Sequence, residues 1–291
     1  FLNFSIAYLL KIQNYLIVIY TLQIMIVTND IIFSIIFSII VIYFYKRLKI
    51  KNKDRENFVN ISIPNIATYL INLEQSTDRL EYVTKQFKKA NIKFIRFNAI
   101  NGKKLNLKKA YENGTVSAKW LKRGQIGVAI SHITLWKTLR NWEEEIAIIF
   151  EDDVIIPKNF WILVKQYMKQ LPKDWDILFL GGTSVIGSKY SKNLLIPAQE
   201  ATKGIYNTGF FAYMVKKKCL DTLIEKSKPL VTAIDNQIKD FAFKYLNVFY
   251  AYPGIISHNY EFESTNNKIS NNIGYFISNT FLKKARRITL L

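Results

Sequence analysis

From residue 66 onward, short unbroken apolar runs alternate with stretches in which apolar residues recur every three or four positions. Unbroken runs suit strands buried on both faces, and the three-to-four spacing suits helices with one buried stripe. Ile66 to Leu73 (IATYLINL) predicts a first strand, and Glu74 to Thr77 a turn with helix-capping residues. Leu80, Val83, Phe87 and Ala90 then follow at helical spacing, and Ile92 to Phe97 predicts a second strand. Strand, helix and strand in this order make a βαβ unit.

The same alternation continues. Ile130, Ile133, Trp136, Leu139 and Trp142 form a helical stripe after Gly124-Gln125-Ile126-Gly127. Ile146 to Ile156 (IAIIFEDDVII) is an apolar run, three acids, and a second apolar run. Past Pro157, a helix carries Phe160, Val164, Tyr167 and Leu171, and Asp176 to Leu180 (DILFL) predicts a strand before Gly181-Gly182. Further strands are expected at Leu194 to Ile196, Ile205 to Val215 and Val248 to Tyr252. Helices are expected at Lys216 to Ser227 and at Ile238 to Leu246, the second with Asp235 just before it.

The first 57 residues have a different pattern. Apolar segments at Tyr15 to Val27 and Ile31 to Tyr45 flank Thr28-Asn29-Asp30, and the second segment holds no charge over fifteen residues. A bilayer span needs about 20, so the two together predict a hairpin or an interrupted anchor. Lys46, Arg47, Lys49, Lys51 and Lys53 come at once after them, and such clusters favour the cytoplasmic side. The expectation is an apolar membrane-anchor region with a basic linker over 1–57, membrane contact through residues 12–45, and a domain over 58–291 facing the cytosol.

Charge adds a constraint. The formal net charge is +19 in a chain that is 14% aromatic, which argues against global disorder. Abundant Lys is explained either by biased residue usage or by attraction to an anionic lipid, nucleic acid or nucleotide-linked substrate. No dense Arg cluster with interleaved aromatics marks a nucleic-acid groove, so nucleic acid is not expected as a partner. The single cysteine, Cys219, cannot form an internal disulfide, fits a cytosolic domain, and reads as a core residue.

The acids carry the candidate chemistry. Glu151, Asp152 and Asp153 emerge where a buried strand ends, and in open α/β sheets ligands bind beyond the carboxyl ends of the strands. Three adjacent carboxylates repel one another unless a divalent cation or amide donors hold them ionised. A solvated turn or a helix cap is the plainer alternative. Asp78 and Arg79 fall in the first turn of a predicted helix, where Asp78 would complement the helix dipole. Ser131 and His132, read as lying in the first turns of their helix, suit phosphate or a sugar hydroxyl, although His132 equally fits a buried structural histidine.

Four segments in order resemble glycosyltransferase family 25: YLINLEQSTDRL, GQIGVAISHITLW, IIFEDDV, and Trp175-Asp176 with the strand after it. The resemblance implies a GT-A-like nucleotide-sugar transferase fold and a hexose, galactose or glucose, moved from a UDP-sugar to a glycan or glycoprotein acceptor. Members include lipo-oligosaccharide and procollagen galactosyltransferases. It implies that Asn72, Asp78, Arg79, Ser131, His132 and Asp152 bind the donor. It further implies that Glu151, Asp153 and a late His258 hold a divalent metal, manganese first, with Asp153 also catalytic and Asp235 as base. Family members carry that Asp after a Pro-containing turn, whereas here Pro229 lies six residues away and a plain helix cap remains open. A catalytically inactive scaffold of the same fold, or a metal-dependent phosphohydrolase, are the competing functions.

Overall fold

The computed structural model describes residues 66–198 and 206–262, together with Ile40, Ile42 and Tyr43. Contacts divide the chain into two units, Phe1–Ser62 and Ile63–Leu291, and the central sheet lies within the second. The anchor expected within residues 12–45 falls almost entirely outside the described residues. Among the described residues no helix is long and apolar enough to cross a membrane.

The first βαβ unit forms as the pattern predicts. Strand β1 (Ile66–Asn72) leads into helix α1 (Thr77–Lys89), which returns to β2 (Ile95–Asn98), shorter than expected because residues 92–94 remain outside the sheet. Helix α2 (Leu107–Glu112) is capped by the Asn106 side chain, and α3 spans Arg123–Leu139. Next come β3 (Ile146–Glu151), β4 (Val154–Ile155), α4 (Phe160–Met168) and β5 (Ile177–Phe179). The second half adds β6 (Gly187–Lys189), β7 (Leu194–Pro197), β8 (Ala212–Lys216) and α5 (Leu220–Lys226). Helix α6 (Ile234–Phe241), β9 (Val248–Ala251) and β10 (Ser257–His258) complete it.

Eight strands form one mixed sheet in the order β2-β1-β3-β8-β5-β9-β7-β6, and β4 pairs with β10 in a separate ribbon. Strands β2, β1 and β3 run parallel, β8 opposes them, and β5 and β9 run parallel to each other. The carboxyl ends of β1 and β3 therefore lie side by side, with Ile71 opposite Glu151.

Helices cover both faces, because the central strands are apolar on both. On β3, Ala147 and Ile149 join a core with Ile126, Ile133, Trp136 and Leu223. Ile146, Ile148 and Phe150 join a second core with Val83, Phe87, Phe160 and Val164. Burying one such aromatic or aliphatic side chain stabilises the fold by about 1.5–3 kcal/mol. Cys219 is a core residue as expected, and burial pushes its thiol up to about 12.

Strand alternation continues past the core and places the site. Glu151 extends the face of Ala147 and Ile149, towards α3, while the two acids after it leave the strand.

Candidate active site

A cavity of ≈ 690 Å³ opens beyond the carboxyl ends of β1 and β3. Glu151, Asp152, Asp153, Arg79 and His258 line one part of it, and Gly102, Lys103, Lys122 and Arg123 another. Ser131 and His132 form its floor, although neither side chain has exposed surface.

Asp152 is fastened from two elements. Asn72, the last residue of β1, donates its Nδ2 to Asp152 Oδ2 at 2.7 Å, and Arg79 Nη1 donates to Asp152 Oδ1 at 2.9 Å. Asn72 is held in turn, its Oδ1 accepting from Arg96 Nε at 3.0 Å and its Nδ2 donating to Ser76 O at 3.1 Å. Burial pushes Asp152 upward, and the charge of Arg79 only partly offsets it.

Asp153 has other partners. Its Oδ2 accepts from Arg79 Nη1 at 3.2 Å and lies 3.3 Å from His258 Nε2. The β4–β10 ribbon makes that pairing, with Val154 opposite His258 and Asn259 N donating to Asp153 O at 2.7 Å. Burial alone would raise Asp153, but His258 and Arg79 outweigh it and hold the carboxyl below its ordinary range. Burial alone would lower His258, and Asp153 and Glu151 together hold it above its ordinary value. Arg79 is likewise raised: burial pulls it down, and Asp152 and Asp153 more than compensate.

Glu151 turns away from this cluster. Its Oε1 lies 3.1 Å from His132 Nε2. Burial and the nearby Asp153 charge push Glu151 well up. Complete burial drives His132 down to about 3, so its imidazole is neutral at physiological pH.

The expected ligand trio is therefore only partly assembled. Asp153 and His258 meet, while the contact of Glu151 is with His132. Among the described residues no group of three or more His, Cys, Asp or Glu side chains is gathered to hold a metal ion. A divalent cation still fits on one observation: Asp153 Oδ1 and His258 Nδ1 are buried and, among the described residues, have no hydrogen-bond partner. A carboxylate and an imidazole are a fair donor set for a first-row divalent ion, which would have to displace the proton that Asp153 and Glu151 favour on His258. Two protein ligands suffice where phosphate oxygens and water supply the rest.

Other expected residues lie elsewhere. Ser131 and His132 are more than two turns into α3, since the helix already begins at Arg123, so no free amides of a helix start surround them. The Ser131 hydroxyl is also committed, accepting from Ile100 N at 2.8 Å and donating to Gly127 O at 2.7 Å. Asp78 is exposed in the first turn of α1 and is not part of the cavity wall. Asp235 is inside the first turn of α6 rather than before the helix, and its Oδ1 accepts from Asn236 N at 2.9 Å. It does not line the cavity, but its charge is felt at His132 and Glu151.

Sequence reasoning passed over the basic part of the cavity lining. Arg123 Nη1 donates to the carbonyls of Lys103 at 3.3 Å and Leu105 at 3.0 Å, fastening the 102–105 turn to the start of α3. No local signal marks this, because the partners are some twenty residues apart and the turn carries no motif.

The sequence profile of glycosyltransferase family 25 (LPS biosynthesis protein) matches residues 65–238, which contain Arg79, all three acids and Asp235. The chain belongs to glycosyltransferase family 25. A Haemophilus influenzae protein named "Putative glycosyltransferase" is 30% identical over 198 residues, 64% of this chain and 68% of that protein. The lipooligosaccharide biosynthesis protein lex-1 of the same organism is 28% identical over 125 residues, 35% of this chain and 41% of lex-1. Mouse procollagen galactosyltransferase 2 is 28% identical over 125 residues. That match covers 39% of this chain but only 20% of the mouse enzyme, so the chain shares one part of a much longer relative.

Proposed function

We propose that the protein moves a hexose, galactose or glucose, from a UDP-sugar to a hydroxyl of a lipo-oligosaccharide or another surface glycan or glycoprotein, within a GT-A-like domain. The observation that carries this reading is the mixed lining of the cavity, which the acids and His258 share with Lys103, Lys122 and Arg123. An acidic site alone repels a diphosphate; one with a basic rim and a foothold for a cation can receive it.

Bound at Asp153 and His258, a divalent cation, manganese first, would supply Lewis-acid neutralisation of the leaving diphosphate. The chain's own side chains supply the placement. Arg79 ties Asp152 and Asp153 together, so the acids are fixed before a donor arrives. The wall at 99–103 and the floor at Ser131 and His132 shape the cavity and limit water around the reacting sugar.

The reading is tested by a thermal-shift screen of the full chain against nucleoside diphosphates, with and without manganese. UDP should raise the melting temperature when manganese is present, because a ligand that binds only the folded state must stabilise it. No shift with any nucleotide would remove the donor and leave an inactive scaffold. Hydrolysis of the ligand without any acceptor would favour the phosphohydrolase instead.

Asp235 is proposed as the base on the family resemblance alone, because a general base needs hydrogen-bond reach of the acceptor hydroxyl and Asp235 does not line the cavity. Asp235→Asn should then slow transfer by roughly 10²-fold or more while donor binding stays nearly intact. Asparagine caps a helix about as well as aspartate, so unchanged turnover would assign Asp235 to helix capping alone.

Membrane attachment through residues 12–45 is proposed from the sequence, with the catalytic domain on the cytosolic face. The full chain should float with anionic vesicles in a density gradient. A chain lacking residues 1–57 should remain at the bottom, and its flotation would refute the anchor.

A further inference from the structure

Behind Glu151 runs a line of hydrogen bonds whose direction the chemistry fixes. Trp136 is one turn along α3 from His132, and its indole Nε1 donates to the Tyr213 hydroxyl at 2.8 Å. That hydroxyl lies 2.9 Å from His132 Nδ1, and His132 Nε2 lies 3.1 Å from Glu151 Oε1. The register of the sheet sets this up. Tyr213 stands opposite Ile149 on the neighbouring strand, and Glu151 is two residues further along the same face.

Trp136, Tyr213 and His132 are all at 0% exposure, so each polar hydrogen must find its acceptor among these groups. An indole N–H can only donate. The Tyr213 oxygen accepts it, and the hydroxyl proton then needs an acceptor of its own. His132 Nδ1 is the acceptor within reach. With Nδ1 accepting, the imidazole proton sits on Nε2 and is donated to Glu151 Oε1.

The opposite arrangement fails the same accounting. A proton on His132 Nδ1 would aim two donors, indole and imidazole, at one hydroxyl oxygen, and the hydroxyl proton would be left with nothing to bond. A buried donor without a partner carries the full cost of its lost hydration.

We propose that Trp136 and Tyr213 are positioning residues for the transfer reaction, acting through His132: the chain of donors Trp136 to Tyr213 to His132 holds Glu151 Oε1 as an acceptor and turns its second oxygen to the reactants. The kinetic consequence rests on the transferase reading above; the hydrogen-bond polarity does not. Neither Tyr213 nor Trp136 touches the reactants, since both lie beneath the floor of the cavity.

The chain has two histidines, His132 and His258, so a ¹⁵N-histidine label reports on the line with little ambiguity. A His258→Asn variant assigns the signals. His132 should show a protonated Nε2 and an unprotonated, hydrogen-bonded Nδ1. A protonated Nδ1 in the wild type would overturn the proposal outright, and this measurement needs neither a variant nor a substrate. Tyr213→Phe keeps the ring and removes the hydroxyl. It should move the Nδ1 signal and lower kcat by about 10-fold or more, the usual loss when an orienting partner is removed, with the KM for donor unchanged. A moved signal with unchanged kcat would show that the line does not serve the reaction. Absence of transfer by the wild type with every donor would instead fail the transferase reading, and the tautomer would still decide the polarity.

Discussion

Asp153→Asn should weaken manganese-dependent UDP binding by about 100-fold or more and abolish sugar transfer. Opposite unit charges about 4 Å apart interact by roughly 4 kcal/mol at a partly screened protein site, which corresponds to about three decades in affinity. Asparagine keeps the size of the side chain and removes the charge that Arg79 and His258 face. Three adjacent acids suggest that losing one would relieve repulsion at no cost, but the contacts argue otherwise. Asp153 is paired with Arg79, faces His258 and sits below its ordinary range, so the folded state favours its ionised form. The substitution should therefore cost about 1–3 kcal/mol of stability near neutral pH. A group with a depressed folded pKa contributes stability above its unfolded value, about 3.9 for Asp, and loses that contribution as pH falls through the folded value. Wild type and variant should accordingly converge in stability in acid. Isothermal titration with UDP and manganese, and denaturant melts at neutral and acid pH, measure both effects. Full-rate transfer by the wild type in excess chelator would remove the cation and leave Asp153 acting through Arg79 and His258 alone.

The parts of the molecule legible in the sequence are those where burial imposes a pattern. Strands β1 and β3 are covered on both faces, so their apolar runs are unbroken and their ends can be placed to within a residue. The acids after β3 are visible as a candidate site because charge is rare at the end of such a run. Helix α3 begins earlier than its apolar stripe indicates, because that stripe starts only after Gly124-Gln125-Ile126-Gly127. Both glycines are helical, and Gly127 is small because the backbone of Ile100 and Gly102 crosses against it. The strand expected from Ile205 begins only at Ala212, after Asn207 and Gly209 adopt positive φ of 53° and 93°. Helix α6 was expected four residues late, which put Asp235 outside it. The β4–β10 ribbon could not be anticipated from two residues on each side, yet it brings His258 to Asp153. Long-range polar partners were equally hidden: His132 and Tyr213 are 81 residues apart, and nothing in either local pattern points to the other.

The crossing behind α3 also supports the second large expectation, that Gly102→Ala will both destabilise the domain and empty the cavity of its ligand. A Cβ on Gly102 would lie 1.8 Å from Arg123 O and 2.5 Å from Arg123 C, both backbone atoms in the first turn of α3. A flexible side chain could swing aside, but a helix backbone cannot, so the 100–103 segment must lift off the helix. Lifting it would break the bonds from Arg123 to Lys103 O and Leu105 O, and strain the one from Ile100 N to Ser131 Oγ. Overpacking of this kind costs about 1–3 kcal/mol, and more where only backbone can move. The expected loss is about 3 kcal/mol or more. Ala99 to Lys103 form a wall of the cavity, so UDP binding should fall with the packing even under conditions where the variant remains folded. Lys104→Ala, in the same short turn but exposed, should change stability by only about 0.5 kcal/mol. Urea melts and UDP titrations on the two variants decide the matter: wild-type stability and binding in Gly102→Ala would mean that the wall does not depend on this contact.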